Sequence, residues 1–361
     1  MTVTPFTIAV PDTELDDLRR RLAATRWPDA VAEDWSQGTA PSDLRRLVGH
    51  WGGAYDWRAA ERRLNLLDQV MVDGIHAIRA GMPGATPLLL VHGWPDGFVR
   101  FLGALPHLAD RFEIVVPSVP GFGFSDRPTT ALGPALVADR FATLMSELGH
   151  EQFAVHGADI GSSISEQLAL RHPDRVTALH LGSVPPRRVD ALDPAVLTGA
   201  ELDLIERTRQ WDEAEGAYAH LQRTKPQTLA ASLNDSSAGL ASWVLEKFRA
   251  WTDPDGDVFE HFTLDDLSTN LTVYWVTQTT GSAGRYYYDS ARAELSSARI
   301  TVPTGMALFP NDLLTVPRAS AERWYPVQRW TEMPSGGHFG PWQHPDAWSA
   351  ELRAFADQLG L

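Results

Sequence analysis

Short apolar runs alternate with helix-like segments along most of this chain, and no other sequence feature limits the fold as strongly. The run Pro87–Val91 is continuously apolar, which is typical of a strand buried on both faces of a sheet. Buried strands that are joined by helices pair in parallel, so we predict an α/β fold with a mostly parallel, doubly wound sheet of eight strands. Nine segments are strand-like, one more than the eight strands expected in the sheet: besides Pro87–Val91 they are Val70–Val72, Ile75–Ile78, Phe112–Val116, Gln152–Val155, Val176–Leu181, Ile300–Pro303, Met306–Phe309 and Gln328–Thr331.

The alternation divides the 361 residues into three predicted regions. Residues 1–67 are predicted to form a helical N-terminal extension that packs on the rest. Residues 68–184 and 292–361 form the α/β core, whose predicted helices include one at 97–109. Residues 185–291 are mostly helical and rich in aromatic side chains. An insertion after the sixth strand lies over the carboxyl ends of the strands, where such sheets bind ligands, so this region is a predicted lid.

Composition excludes several classes of protein. A net charge of −15 argues against nucleic-acid binding, because phosphate backbones attract basic surfaces. Cysteine is absent, which rules out disulfides and thiolate catalysis, and we expect neither a metal nor a cofactor. The N-terminal residues lack the pattern of a signal peptide, and no apolar run is long enough to span a bilayer. We therefore expect a soluble, cytoplasmic protein.

The segment Val155–Ser162 predicts a strand end, a tight turn and a helix start, with Asp159 between Gly157 and Gly161. This is the G-x-nucleophile-x-G pattern of a nucleophile elbow. A carboxylate is a poor nucleophile toward acyl groups, but it can displace a leaving group at saturated carbon and form an alkyl ester. Asp159 therefore predicts chemistry on epoxides or alkyl halides. An aspartate that only caps the helix would not need the two flanking glycines.

Two further residues complete a candidate triad. Asp312 follows a predicted strand, and His338 follows the last one, so the chain order is nucleophile, acid, histidine, as in α/β-hydrolases. A histidine base needs a partner on its second nitrogen, and Asp312 is the favoured acid. Asp190, after the sixth strand, is the alternative acid.

A loop after the third strand carries His92, Gly93, Trp94 and Pro95. In this type of fold a backbone N–H from that loop, and another from the residue after the nucleophile, form an oxyanion hole. The predicted donors are Trp94 and Ile160. They would hold one oxygen of Asp159 and stabilise the oxyanion that forms when water attacks an ester.

Together these motifs resemble the α/β-hydrolase epoxide hydrolases of the microsomal and juvenile-hormone type. The resemblance covers nearly the whole chain and rests on the Asp159 elbow, the helical N-terminal region and the segments His92–Pro95, Val119–Ser125, Leu233–Ser236, Leu245–Phe248 and Phe309–Leu314. It implies an α/β-hydrolase fold and conversion of a hydrophobic epoxide and water into a vicinal diol. It also makes a homodimer plausible, and the missing membrane-anchoring helix of the microsomal enzymes indicates a soluble bacterial form.

The same resemblance implies two tyrosines of the lid that donate hydrogen bonds to the epoxide oxygen. The matching positions are Tyr218 and Tyr287, with Tyr286 and Tyr288 as alternatives to Tyr287. Phenols suit this role because they stay protonated at pH 7 while donating to a basic alkoxide.

Two rival functions remain open. A haloalkane or haloacid dehalogenase uses the same catalytic aspartate, histidine and acid. It commonly places a residue with an aromatic N–H donor directly after the nucleophile, and the side chain of Ile160 has no such donor. A catalytically silent binder of hydrophobic small molecules is the other alternative, and it would not need all the predicted catalytic residues.

Overall fold

A nine-stranded mixed sheet forms the centre of the computed structural model, which describes residues 2–185, 188, 197–253, 256–296 and 298–361. The strand order is β1-β2-β3-β5-β4-β6-β7-β8-β9. Pairing is antiparallel from β1 through β3 to β5 and parallel from there to β9. The strands are β1 (Val3–Pro5), β2 (Asp68–Val72), β3 (Ile75–Gly81), β4 (Thr86–Val91), β5 (Phe112–Pro117), β6 (Phe153–Gly157), β7 (Val176–Leu181), β8 (Thr304–Leu308) and β9 (Val327–Glu332).

The mostly parallel α/β sheet predicted from the sequence is confirmed, and its strand number is corrected from eight to nine. The added strand β1 lies within the predicted helical extension and pairs with β2, with Val3 opposite Val72. Three residues are too few to show the period of a strand. Ile300–Pro303, predicted as a strand, is a connector. Its apolar pattern arises because Ile300 and Val302 are buried side chains.

Helices flank the sheet and form most of the region between β7 and β8. In the described residues they are α1 (Asp12–Ala23), α2 (Pro41–Gly52), α3 (Trp57–Leu64), α4 (Leu105–Leu108), α5 (Pro134–Glu147), α6 (Ile160–Arg171), α7 (Gly199–Glu215), α8 (Ala217–Thr224), α9 (Pro226–Leu233), α10 (Ser237–Ala250), α11 (Val258–His261), α12 (Leu264–Thr277), α13 (Thr280–Ser290), α14 (Arg318–Ala321), α15 (Gly340–Gln343) and α16 (Pro345–Leu359). Side-chain hydroxyl groups cap the N-termini of several of these helices. One of them is Thr198, which forms a capping box with Glu201 at the start of α7.

The predicted helix over residues 97–109 is two short pieces. A 3₁₀ helix covers Phe98–Phe101, and α4 begins only at Leu105. Gly103 destabilises a continuous helix, and Pro106 has no backbone N–H to donate to the preceding turn. These two residues explain the break.

Two apolar cores lie on the two faces of the sheet. Leu89 and Val91 of β4 pack in one core with Ile164 of α6, whereas Leu88 of the same strand lies in the other core with Leu352 of α16. Alternate side chains of a strand point to opposite faces, so burial on both faces explains the unbroken apolar run of β4.

The N-terminal helices pack against helices of the predicted lid. Contacts join α2 to α10 and α12, and Trp51 at the end of α2 is only 3% exposed. The boundaries of the three regions predicted from the sequence stay predictions. Among the helices of the described residues, none is both long and apolar enough to cross a membrane.

Candidate active site

Asp159 occupies a sharp turn between β6 and α6. Its backbone lies at φ 56° and ψ −129°, which is unusual for a residue with a side chain. Glycine is needed at both flanking positions for steric reasons. A Cβ on Gly157 would lie 2.2 Å from the carbonyl oxygen of Gly161, and a Cβ on Gly161 would lie 2.4 Å from that of Val91. The elbow therefore needs glycine on both sides of Asp159.

Backbone donors hold the Asp159 carboxylate. The Trp94 N–H donates to Asp159 Oδ1 at 2.8 Å, and the Ile160 N–H acts electrostatically on the same carboxylate. Burial raises the pKa of Asp159, while His338 and these two N–H groups act in the opposite direction. The structure thus places both predicted oxyanion-hole donors at the carboxylate, where they stabilise its charged form.

His338 lies between the two carboxylates. Its Nδ1 is 2.7 Å from Asp312 Oδ1, and its Nε2 is 3.5 Å from Asp159 Oδ2. Burial disfavours the imidazolium ion, but Asp312 and then Asp159 outweigh this effect, and the pKa of His338 is raised above its ordinary value. The alternative acid, Asp190, lies outside the described residues.

The loop that carries His338 is fixed by close backbone contacts. The His338 N–H donates to the carbonyl oxygen of Trp251 at 2.8 Å. A Cβ on Gly337 would lie 2.3 Å from the same oxygen, and Gly336 has φ 101°. Glycine is therefore required before His338 both for the turn and for the approach to Trp251.

Tyr218 and Tyr287 lie together against Trp94. The Tyr218 ring stacks on the Trp94 ring with centroids 5.2 Å apart, and the Tyr287 ring meets Trp94 edge-on at 5.7 Å. The centroids of the two tyrosine rings are 6.1 Å apart. Burial raises the pKa of both phenols, and the charge of Asp159 raises it further, so both hydroxyls stay protonated donors.

The neighbours of Tyr287 face other groups. The Tyr286 ring packs on Phe122 with centroids 6.2 Å apart, and the Tyr288 ring lies under the guanidinium of Arg292. Among the three consecutive tyrosines, Tyr287 is the one whose ring contacts both Trp94 and Tyr218.

Comparison with known proteins identifies the family. The model described as epoxide hydrolase N terminus matches residues 3–101, and the model described as alpha/beta hydrolase fold matches residues 86–345. Epoxide hydrolase 1 of Sus scrofa is 31% identical, with 99% of this chain and 89% of that protein covered. The chain belongs to the epoxide hydrolase family of α/β-hydrolases. A Stigmatella aurantiaca protein, provisionally named an epoxide hydrolase, is 37% identical over 99% of this chain and 85% of its own.

Solved structures agree with this membership of the epoxide hydrolase family. The juvenile hormone epoxide hydrolase of Bombyx mori has a TM-score of 0.86 at 28% identity, with 99% of this chain and 94% of that chain covered. The Aspergillus niger epoxide hydrolase has a TM-score of 0.85 at 28% identity, with 99% and 97% covered. The α/β-hydrolase fold expected from the sequence is thereby confirmed.

A buried ion pair close to the triad was not predicted from the sequence. Asp96 and Arg100 pair with no solvent exposure of either side chain, and the guanidinium lies 5.5 Å from the Phe339 ring centroid. Arg100 also acts electrostatically on Asp159 and His338. The i, i+4 spacing of opposite charges was a visible signal, but nothing in the sequence indicated that this pair was buried.

Trp251 and Lys247 of the lid region were also missed. The Trp251 ring lies 5.0 Å from the Tyr218 ring and 5.1 Å from that of His338, measured between centroids. The Lys247 ammonium lies 4.7 Å from the Tyr218 ring centroid and pairs with Glu246. Trp251 therefore contacts both the candidate base and one candidate donor, and Lys247 makes a cation–π contact with that donor.

Proposed function

We propose that this chain hydrolyses an epoxide to a vicinal diol through a covalent ester on Asp159. The observation that supports it best is the position of the Asp159 carboxylate, with Oδ1 bonded to the Trp94 N–H and Oδ2 facing His338 at 3.5 Å. The oxygen outside the hole, Oδ2, attacks one epoxide carbon. The carbon–oxygen bond breaks while Tyr218 and Tyr287 donate to the departing oxygen, which takes a proton from one of these phenols, and solvent returns a proton to that phenol.

In the second step His338 Nε2 takes a proton from water, and the water oxygen attacks the carbonyl carbon of the ester. Asp312 stabilises the imidazolium that forms, and the N–H groups of Trp94 and Ile160 hold the oxyanion. The bond between that carbon and Oδ2 then breaks, and the diol oxygen receives the proton held by His338. The proton left on the Asp159 carboxyl group passes to solvent, which restores the carboxylate. No metal or cofactor takes part in this scheme.

The substrate we propose is a hydrophobic epoxide. Aromatic rings cluster beside the triad, namely those of Trp94, Tyr218, Trp251 and Tyr287. Such rings favour an apolar substrate body and leave the two phenol hydroxyls as the polar contacts to the oxygen. The cytoplasmic location and the homodimer expected from the sequence remain predictions.

The substitution His338→Gln tests the covalent scheme. It should leave the attack of Asp159 intact and block ester hydrolysis, so intact-mass spectrometry after incubation with an epoxide should show one stable adduct. The matched control is His338→Gln combined with Asp159→Asn, which should show no adduct. An unmodified single variant, across a panel of styrene oxide, terpene epoxides and bulkier epoxides that the natural chain turns over, would contradict the scheme.

Two measurements separate the proposal from its rivals. In one turnover in heavy-oxygen water, the label should enter Asp159 before it appears in the diol. Direct labelling of the diol would contradict the ester. A dehalogenase would release halide from haloalkanes, whereas Ile160 offers no side-chain N–H for a halide, and we expect none to be released. A silent binder would retain epoxides without any turnover.

A further inference from the structure

Helix α12 connects the N-terminal region to the loop that supplies the Trp94 N–H. On the loop side, the Asn270 side-chain amide donates to the carbonyl oxygen of Pro95 at 3.0 Å, and the Tyr274 hydroxyl donates to that of Asp96 at 2.7 Å. Both side chains are almost fully buried, at 1% and 4% exposure. Two successive carbonyl groups directly after Trp94 are therefore held by one helix.

The same helix is held from the opposite direction by the N-terminal region. The Trp51 indole N–H donates to Thr272 Oγ1 at 2.8 Å, and the Tyr55 hydroxyl bonds Thr269 Oγ1 at 2.9 Å. Both bonds join residues that are more than 200 positions apart in the chain. The residues of α12 that meet the loop thus alternate along the helix with residues that meet the N-terminal region.

We propose that the N-terminal region positions the Trp94 N–H through α12, with Asn270 and Tyr274 as positioning residues for both chemical steps. The inference rests on the proposed function for its kinetic consequence, but its structural content is independent of any substrate. The Trp94 N–H donates to the Asp159 carboxylate at 2.8 Å. A displacement of well under 1 Å weakens such a donor, and the oxyanion of ester hydrolysis depends on it most.

Exposed contacts between the same two regions would not give this coupling. Arg46 with Asp257 and His50 with Asp265 also join the N-terminal region to the region between β7 and β8, but the acid side chains are 36% and 60% exposed. Pairs in that setting contribute little because water and salt screen them. The bonds of Trp51 and Tyr274 are buried and directional, so they fix the position of the helix.

The first test measures the loop directly. Amide hydrogen exchange of the peptide that contains Trp94 should be slow in the natural protein. It should become faster in Tyr274→Phe and in Asn270→Leu, since each removes one donor and keeps most of the side-chain volume. The matched control is Thr277→Val, because the Thr277 hydroxyl bonds Val273 and Thr279 beside it on the same helix end. Unchanged exchange in both variants would overturn the inference whatever the protein hydrolyses.

The second test compares the two chemical steps. In single-turnover experiments with an epoxide that the natural protein turns over, ester hydrolysis should slow about 10-fold in Tyr274→Phe. Ester formation should slow less, so the adduct should accumulate. A variant that is merely less folded would lose active protein without changing the ratio of the two rates. An unchanged ratio in both Tyr274→Phe and Asn270→Leu would count against a positioning role.

The role of the N-terminal region has its own variant. Trp51→Phe removes the indole donor and keeps an aromatic ring. It should shift the same rate ratio by about 3-fold, less than Tyr274→Phe does, because Trp51 bonds α12 and not the loop itself. When Trp51→Phe is combined with Tyr274→Phe, the change in the rate ratio should be smaller than the product of the two separate changes, because both substitutions act through α12. Multiplicative effects would overturn the coupling. If the natural protein forms no adduct with any epoxide, the proposed function fails while the exchange test still decides this inference.

Discussion

At the scale of single residues, His338 determines how activity depends on pH. Its pKa is raised in the free protein by Asp312 and Asp159, although burial acts in the other direction. Only the neutral imidazole accepts a proton from water, so ester hydrolysis should be lost as pH falls through this pKa and reach a plateau above it. Ester formation removes the charge of Asp159 and therefore one of the causes of the raised value.

We therefore expect two different midpoints. NMR titration of the free protein should give a His338 midpoint above the ordinary value of about 6.5. The acid limb of single-turnover ester hydrolysis should lie at lower pH, since Asp159 is then neutral. A hydrolysis midpoint at higher pH than the NMR midpoint would contradict the assigned arrangement of charges.

The two tyrosines allow a test with a neighbouring control. Tyr218→Phe and Tyr287→Phe each remove one donor to the departing oxygen, so each should slow ester formation about 100-fold, as loss of an oxyanion donor does. Hydrolysis of an ester already formed should change little. Tyr288→Phe should leave both rates near those of the natural protein, because its ring packs under Arg292. Equal loss in both steps would indicate general damage to the site.

At the scale of elements, the elbow predicts a steric cost that can be measured. Gly161→Ala would place a Cβ 2.4 Å from the carbonyl oxygen of Val91, which belongs to β4 and cannot rotate away. The start of α6 must shift, and we expect the free energy of unfolding to fall by about 1–3 kcal/mol. The same shift moves Asp159, and adduct formation in the His338→Gln background should fall about 100-fold.

Another helical glycine supplies the control for that measurement. A Cβ on Gly49 of α2 would meet nothing within 4 Å, so Gly49→Ala should raise the free energy of unfolding by up to about 1 kcal/mol. Urea unfolding would measure both variants. A Gly161→Ala protein as stable as Gly49→Ala would show that the elbow relaxes more easily than its geometry indicates.

Local patterns could predict some elements and not others. The elbow and the long alternation were visible because glycine spacing and apolar periodicity are properties of neighbouring residues. The pairing of His338 with Asp312 followed from chain order, and the choice of Tyr287 followed from family resemblance. The strand β1 was missed because three residues carry no period. The links from Asn270 to Pro95 and from Tyr274 to Asp96 span 175 and 178 positions, and a single sequence holds no signal for them.

At the scale of the whole molecule, Trp51 joins the N-terminal region to α12 in the region between β7 and β8, and we expect these two regions to unfold as one unit. Trp51 is 3% exposed and contacts α12 through its indole, whereas Trp27 is 39% exposed and lies beside Arg45. The two tryptophans belong to the same region and differ mainly in burial. They therefore separate the contribution of this interface from the general effect of losing a large side chain.

Trp51→Ala should lower the free energy of unfolding by about 3–5 kcal/mol, since it removes a buried aromatic ring and leaves a cavity between α2 and α12. Trp27→Ala should lower it by less than about 1 kcal/mol, because a cation–π contact at an exposed site contributes little. Urea unfolding followed by circular dichroism and by tryptophan fluorescence should give coincident transitions in both variants. A separate early transition in Trp51→Ala would mean that the N-terminal region unfolds alone, and the rest of the protein would then not depend on it for stability.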